Sequence, residues 1–153
     1  RNGERIAITG AGDDEAVHYV QHHARSLIFS ASMSPANTAA ALAALEVMET
    51  EPERIERVNQ IAKQMRNEFR RLGLNVGNTV TPIIPIIIGD DMPTIVAWKA
   101  LYEAGVYTNP VIPPAVPSGS SLLRTSYMAT HTDAQLEYVL STFEEVGKRL
   151  DLI

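Results

Sequence analysis

The stretch "PPAVPSGSSLLRTSYMATHT", residues 113–132, decides the fold of this chain. Its first half is rich in Pro, Gly and Ser, which favour a rigid turn, and its second half reads as a strand. Arg124 lies in the middle of that strand, directly after Leu122 and Leu123. A buried guanidinium is costly unless an anion pairs with it. The pattern therefore predicts a buried arginine with an anionic partner, beside a turn that lines the site. A structural ion pair and a ligand site both fit this position, and the ion pair is the commoner of the two.

The composition predicts an ordinary globular protein. The 153 residues are 45% hydrophobic and 20% charged, enough for one domain with a real core. A net charge of -5 argues against nucleic acid as a partner. No apolar run approaches the roughly 20 residues that span a membrane, so no transmembrane segment is predicted. Cysteine is absent, which excludes disulfides and thiolate metal sites, and a cytoplasmic location is the default expectation.

The periodicity predicts five helices. They begin near residues 13, 35, 50, 93 and 132, and the third and fifth follow capping-box pairs, Thr50 with Glu53 and Thr132 with Gln135. The helix from residue 93 is expected to bury Tyr102 among others. The helix from 35 to 48 is rich in alanine, and its small side chains indicate that it is internal or faces another subunit.

Extended segments are predicted over residues 25–32, over 81–90 and near 106–108, besides the Arg124 strand. The prolines in "TPIIPIIIGD", residues 81–90, cannot donate ladder hydrogen bonds, so this segment is expected to be an edge strand. The order of elements predicts an α/β fold, more narrowly a small α+β domain in which helices cover one face of a mostly antiparallel sheet.

Two further motifs are read as structural. "TGAG", residues 9–12, gives the first spacing of a dinucleotide fingerprint, but Glu15 stands where the third glycine belongs. His18 and His22 would share a helical face, yet no third ligand is near. A turn and a solvated helix face explain them, and no metal site is predicted.

Four segments in consistent order resemble the C-terminal part of the α-oxoamine synthases. They are "RSLIFSASMSPA" (25–36), "EPERIERVNQIAKQMRNEF" (51–69), "TPIIPIIIGD" (81–90) and "GVYTNPVIPPAVPSGSSLLRTSYMATHT" (105–132). These fold-type I enzymes of aminotransferase class I/II use pyridoxal 5'-phosphate to join an amino acid to an acyl-CoA with loss of CO2. The likeness is greatest to bacterial serine palmitoyltransferases. The synthases of 8-amino-7-oxononanoate and 2-amino-3-ketobutyrate (glycine C-acetyltransferase) follow closely.

The resemblance implies a role for Arg124, which would bind the carboxylate of the amino-acid substrate. Ser32, or else Ser30, would reach the cofactor phosphate held by the partner subunit of a homodimer. His131 lies in the family-like "ATHT", although capping the last helix explains it equally well. Ile112 stands where some members carry a second arginine, so no two-arginine clamp is expected.

The resemblance also implies that part of the enzyme is not in this sequence. The lysine that forms the Schiff base is expected at or before Arg1, which leaves no catalytic residue in the chain. The lysines present all fall in polar register on predicted helices: Lys63, Lys99 and Lys148. Residues 1–34 would be the end of the cofactor domain with an interface segment, and 35–153 the C-terminal small domain. The alternative is a non-catalytic binding or dimerisation domain in which Arg124 makes a structural ion pair.

Overall fold

The computed structural model describes residues 13–31 and 34–153. The predictions on residues 9–12 and on Ser32 lie outside the described residues. Six helices and three strands occur in the described part of the chain. The helices are α1 (Asp14–His23), α2 (Arg25–Ile28), α3 (Pro35–Thr50), α4 (Pro52–Arg71), α5 (Asp91–Glu103) and α6 (Asp133–Arg149). The strands are β1 (Ile83–Gly89), β2 (Asn109–Val111) and β3 (Ser121–Ser126).

The chain divides into two compact units, residues 1–46 and 47–153. In the first, α1 begins where the Asp13 carboxylate accepts from the backbone N–H of Glu15 (3.2 Å). That helix confirms the prediction. Residues 25–28 form the short helix α2, so the predicted extended segment is wrong there. The reason is local, because the N–H of Phe29 donates to the carbonyl of Arg25 (3.0 Å) and closes a helical turn.

In the second unit, the three strands form an antiparallel sheet in the order β1–β3–β2. β1 is an edge strand, as predicted. The Ile87 N–H points away from β3 and donates to the Asn75 carbonyl (2.8 Å). Residues two apart on a strand point their N–H groups to the same side, so the nitrogen of Pro85 also faces outward and costs the ladder no bond.

Helices α4, α5 and α6 pack on one face of this sheet and bury the core of the second unit, which confirms the predicted fold class. The rings of Phe69 and Phe143 meet edge to face, with centroids 4.9 Å apart, and join α4 to α6. The other large side chains that are fully buried are Ile61, Met65, Ile84, Ile86, Leu101, Leu123 and Leu136.

The two predicted capping boxes have different outcomes. At α6, the N–H of Thr132 donates to Oε1 of Gln135 (2.9 Å) and the N–H of Gln135 to Oγ1 of Thr132 (3.3 Å), as expected. At α4, the N-cap is Glu51 and Thr50 is the last residue of α3, so the predicted pair with Glu53 is wrong. The proline at the first position of α4 starts that helix instead.

Two smaller predictions need correction. Helix α5 begins at Asp91, two residues early, and Tyr102 is 58% exposed, because Thr94, Ala97 and Leu101 form its buried stripe. The short strand lies at Asn109–Val111, later than 106–108.

Candidate functional site

Arg124 is exposed on the open face of the sheet, which corrects the prediction that it is buried. Side chains of a strand alternate between two faces. Along β3, Ser121, Leu123 and Thr125 are buried against the helices, and Arg124 falls on the other face. Leu122 is only half-buried, so the run of apolar residues around Arg124 is an alternating strand and not a continuous buried one.

The neighbours of Arg124 in the sheet cannot neutralise it. Its cross-strand partners are Pro85 on β1 and Asn109 on β2, and neither is anionic. Among residues 13–31 and 34–153, the structure gives the Arg124 side chain no ion pair and no hydrogen bond. A planar cation with five N–H donors is therefore open to an anion from outside the described chain.

Arg124 lines a cleft of about 670 Å³ in the second unit. The walls are the segment leading into β2, the end of β3 with the following turn, and the first turns of α6. No Asp, Glu or Lys lines it, so Arg124 gives the cleft its only formal charge within the described residues. The Pro-rich turn, residues 113–119, does not line the cleft, because it precedes β3 whereas the cleft lies beyond its other end. The cleft is a cationic pocket with otherwise neutral walls.

Two buried hydroxyl groups belong to residues of the same cleft. Thr108 is 2% exposed and Tyr127 is 9% exposed, and neither hydroxyl oxygen has a hydrogen-bond partner in the described part of the chain. Burial raises the pKa of Tyr127, because the phenolate would be poorly solvated there, and the nearby Thr125 side chain opposes this only in part, because its hydroxyl proton is donated to the Ile84 carbonyl (2.9 Å). A buried polar atom without a partner is destabilising, so the inner wall of the cleft is not optimised for stability alone.

His131 also lines the cleft, and its ring is held by the turn that follows β3. The N–H of Met128 donates to Nδ1 of His131 (3.1 Å), and the N–H of His131 donates back to the Met128 carbonyl (3.1 Å). The ring stands edge-on to Tyr127, with centroids 6.1 Å apart. Helix α6 is capped by Thr132, so His131 caps this turn and not the helix.

The residues expected near the cofactor phosphate are only partly described. Ser30 is exposed, and its Oγ donates to the Leu27 carbonyl (2.9 Å), so its one hydroxyl proton is already used. A residue that binds a phosphate must donate a hydrogen bond to it, so Ser30 in this conformation does not fit that role. Ser32 lies outside the described residues, and the role assigned to either serine stays a prediction.

The lysines do not fit a Schiff base with pyridoxal phosphate. Lys63, Lys99 and Lys148 are all exposed on helices. The amine of Lys148 lies 2.5 Å from a Glu144 oxygen, and that of Lys99 lies 3.8 Å from Glu103. A nucleophilic lysine needs the opposite setting, an amine whose charge is disfavoured by burial or a neighbouring cation. No step through the cofactor follows from the described residues.

Sequence reasoning missed Tyr127, Thr108 and Asn109 as residues of the site. The signal for Tyr127 was available, because it continues the odd-numbered register of the buried face of β3. For Asn109, the pairing of β2 with β3 had to be known first. Thr108 carries no local signal.

Comparison with known proteins places this chain in a family. A sequence model of aminotransferase class I and II matches residues 2–143. The serine palmitoyltransferase of Bacteriovorax stolpii is 43% identical over 93% of this chain and 34% of that protein. The 8-amino-7-oxononanoate synthase of Thermosipho melanesiensis is 36% identical over 94% and 37%. The chain thus spans about a third of the length of these curated relatives.

A solved structure gives the same result. A variant of the serine palmitoyltransferase from S. paucimobilis with bound PLP–myriocin superposes with a TM-score of 0.81 at 31% identity, covering 90% of this chain and 35% of that one. The resemblance drawn from the four sequence segments is confirmed by these matches. This chain, with its antiparallel sheet and its cationic cleft, belongs to the aminotransferase class I and II family.

Proposed function

We propose that this chain is the substrate-carboxylate-binding part of an α-oxoamine synthase that condenses an amino acid with an acyl-CoA and releases CO2. Serine and a palmitoyl thioester are the proposed substrates, after the serine palmitoyltransferases that this chain is similar to, and the substrates of 8-amino-7-oxononanoate synthase or glycine C-acetyltransferase are the next choice. Pyridoxal 5'-phosphate, held by the complete homodimeric enzyme, would supply the electron sink for carbanion chemistry at Cα.

The observation that carries this proposal is that, in the part of the chain the structure describes, the guanidinium of Arg124 is unpaired and its cleft has no acidic residue. A carboxylate accepts two parallel N–H bonds from an arginine, which fixes its orientation as well as its charge. Arg124 is exposed until a ligand covers it, and the other walls of the cleft are apolar and neutral, so a carboxylate seated there excludes water and forms a stronger bond than it would in open water. An amino acid held there presents its Cα in one defined direction, which removes much of the entropy cost of the reaction.

A non-catalytic domain with Arg124 in a structural ion pair is the alternative. It requires an acidic partner for Arg124, and none occurs on the cross-strand positions or in the cleft walls. The same absence favours an anionic ligand.

Kinetics of a complete enzyme test the proposal. In a chimera, this chain replaces the matching third of the B. stolpii enzyme, and the KM values for amino acid and acyl-CoA are measured separately. Truncating one partner of a shielded charge pair costs roughly 2–5 kcal/mol, so Arg124→Ala should raise the amino-acid KM at least about 30-fold. Arg124→Lys should recover only part, because the charge remains and the fork is lost.

Arg149→Ala is the matched control. Arg149 is exposed in the last turn of α6, away from the cleft, so its loss removes the same charge without touching the site. The proposal fails if Arg124→Ala leaves the amino-acid KM within twofold of the Arg149→Ala value in an active chimera.

A further inference from the structure

His131 has a ring whose proton position is determined by its surroundings. A backbone N–H can only donate, so Nδ1 of His131 must accept the bond from Met128 (3.1 Å). The neutral ring then carries its proton on Nε2. The reciprocal bond from the His131 N–H to the Met128 carbonyl fixes the turn, and the edge contact with Tyr127 fixes the ring plane.

The Nε2–H group of His131 has no hydrogen-bond acceptor among the described residues. The hydrogen bond from Met128 and the ring contact with Tyr127 are the only side-chain interactions of His131 there. A ring that is fixed on one side and unpartnered on the other has the arrangement of a binding group. It lines the same cleft as Arg124, and no acidic side chain in that cleft can accept its proton.

We propose that His131 is a second binding residue for the substrate carboxylate, its Nε2–H donating to the anion whose charge Arg124 neutralises. This inference rests on the proposed function and deepens it. The two residues have different roles: Arg124 supplies the charge, and His131 supplies a neutral donor on a rigid turn. Because the turn holds the ring before the ligand arrives, little conformational entropy is lost when the bond forms.

Two variants separate binding from structure. In His131→Asn, the side-chain oxygen stands near the position of Nδ1, so the Met128 bond is kept and the Nε2 donor is lost. In His131→Gln, the amide nitrogen stands near Nε2, so the donor is kept and the acceptor for Met128 is displaced. Two readouts are needed, the amino-acid KM in the chimera and the urea midpoint of the 153-residue chain.

A hydrogen bond to a charged group contributes about 1.5–3 kcal/mol, so His131→Asn should raise the amino-acid KM roughly 10- to 100-fold. Its urea midpoint should stay at the wild-type value, and the KM for acyl-CoA should not change. His131→Gln should show the reverse, a lower midpoint with a smaller rise in the amino-acid KM. A purely structural histidine predicts that Asn is harmless in both assays, which would overturn the inference.

A double-mutant cycle shows whether the two residues bind the same group. If both hold one carboxylate, the effect of His131→Asn on the amino-acid KM should shrink at least threefold in an Arg124→Ala background. Equal effects in both backgrounds would contradict a shared ligand. Should Arg124→Ala itself leave KM unchanged, the proposed function fails. Should only His131→Asn be silent, the function stands and this inference fails.

Discussion

At the scale of single residues, the cleft contains two buried hydroxyl groups that lower stability. Among the described residues, the hydroxyl of Tyr127 is buried without a hydrogen-bond partner, and so is that of Thr108. The sequence could place Tyr127 on the buried face from its register with Leu123, yet it could not show that its hydroxyl is unpaired. Pairing depends on which side chains from other elements reach that point. The exposure of Arg124 was predictable from the same register, but its apolar neighbours along the chain favoured a buried position, which was wrong.

Removing the unpaired hydroxyl should stabilise the isolated chain. Tyr127→Phe keeps the ring in the core and relieves the desolvation of the phenol, so the free energy of unfolding should rise by about 1 kcal/mol. The gain should grow at alkaline pH. Since burial raises the folded pKa of Tyr127, wild-type stability is complete below the ordinary pKa of a tyrosine and is lost as the pH rises from there towards the folded value.

Urea titrations at neutral and alkaline pH check this prediction. Tyr107→Phe is the matched control. The Tyr107 side chain is 72% exposed, so the loss of its hydroxyl should shift the midpoint little at either pH. A loss of stability in Tyr127→Phe at neutral pH would mean that the hydroxyl has a partner after all.

At the level of elements, the sequence predicted a helix, a cap or a strand correctly when all of the residues that form it are close together in the chain. The Thr132–Gln135 box, the edge strand and the presence of a helix after residue 50 could all be predicted, because each depends on residues close in sequence. The box at Thr50 failed, since the preceding helix α3 continues through that residue and Pro52 provides an alternative start. The short strand β2 was misplaced because its three residues gain their conformation from pairing with β3.

The capping box of α6 should have a measurable effect on stability. Thr132→Ala removes the oxygen that accepts from the Gln135 N–H, and loss of an N-cap costs about 1 kcal/mol. Because α6 supplies Leu136 and Phe143 to the core, the loss should appear in the global unfolding transition. Thr130→Ala, at an exposed turn residue two positions earlier, should be close to neutral. Equal midpoints for the two variants would show that the box is not stabilising.

At the scale of the whole molecule, the described core belongs to the second unit alone. Every buried hydrophobic residue among those described lies between Ile61 and Val146, and α1, α2 and α3 bury none. No helix in residues 13–31 or 34–153 is long and apolar enough to cross a membrane. Family membership could be predicted from four separated segments, because their order and spacing carry more information than any one motif. The cleft could not, because its walls come from three separated parts of the chain.

A shortened chain tests whether the second unit folds by itself. A protein of residues 47–153 keeps the whole core and the cleft, so its urea midpoint, followed by the fluorescence of Trp98, should match that of the 153-residue chain. A midpoint lower by more than the scatter between repeats, or a broadened transition, would show that the first 46 residues stabilise the core.

The most direct test of the account is the carboxylate preference of Arg124. In the chimera, the dissociation constants of L-serine and of L-serinamide, which lacks the negative charge, are compared for wild type and Arg124→Ala. The account predicts that wild type binds serine roughly a hundredfold more tightly than the amide and that Arg124→Ala loses this preference. A preference that survives in Arg124→Ala would contradict the claim that this guanidinium binds the substrate carboxylate.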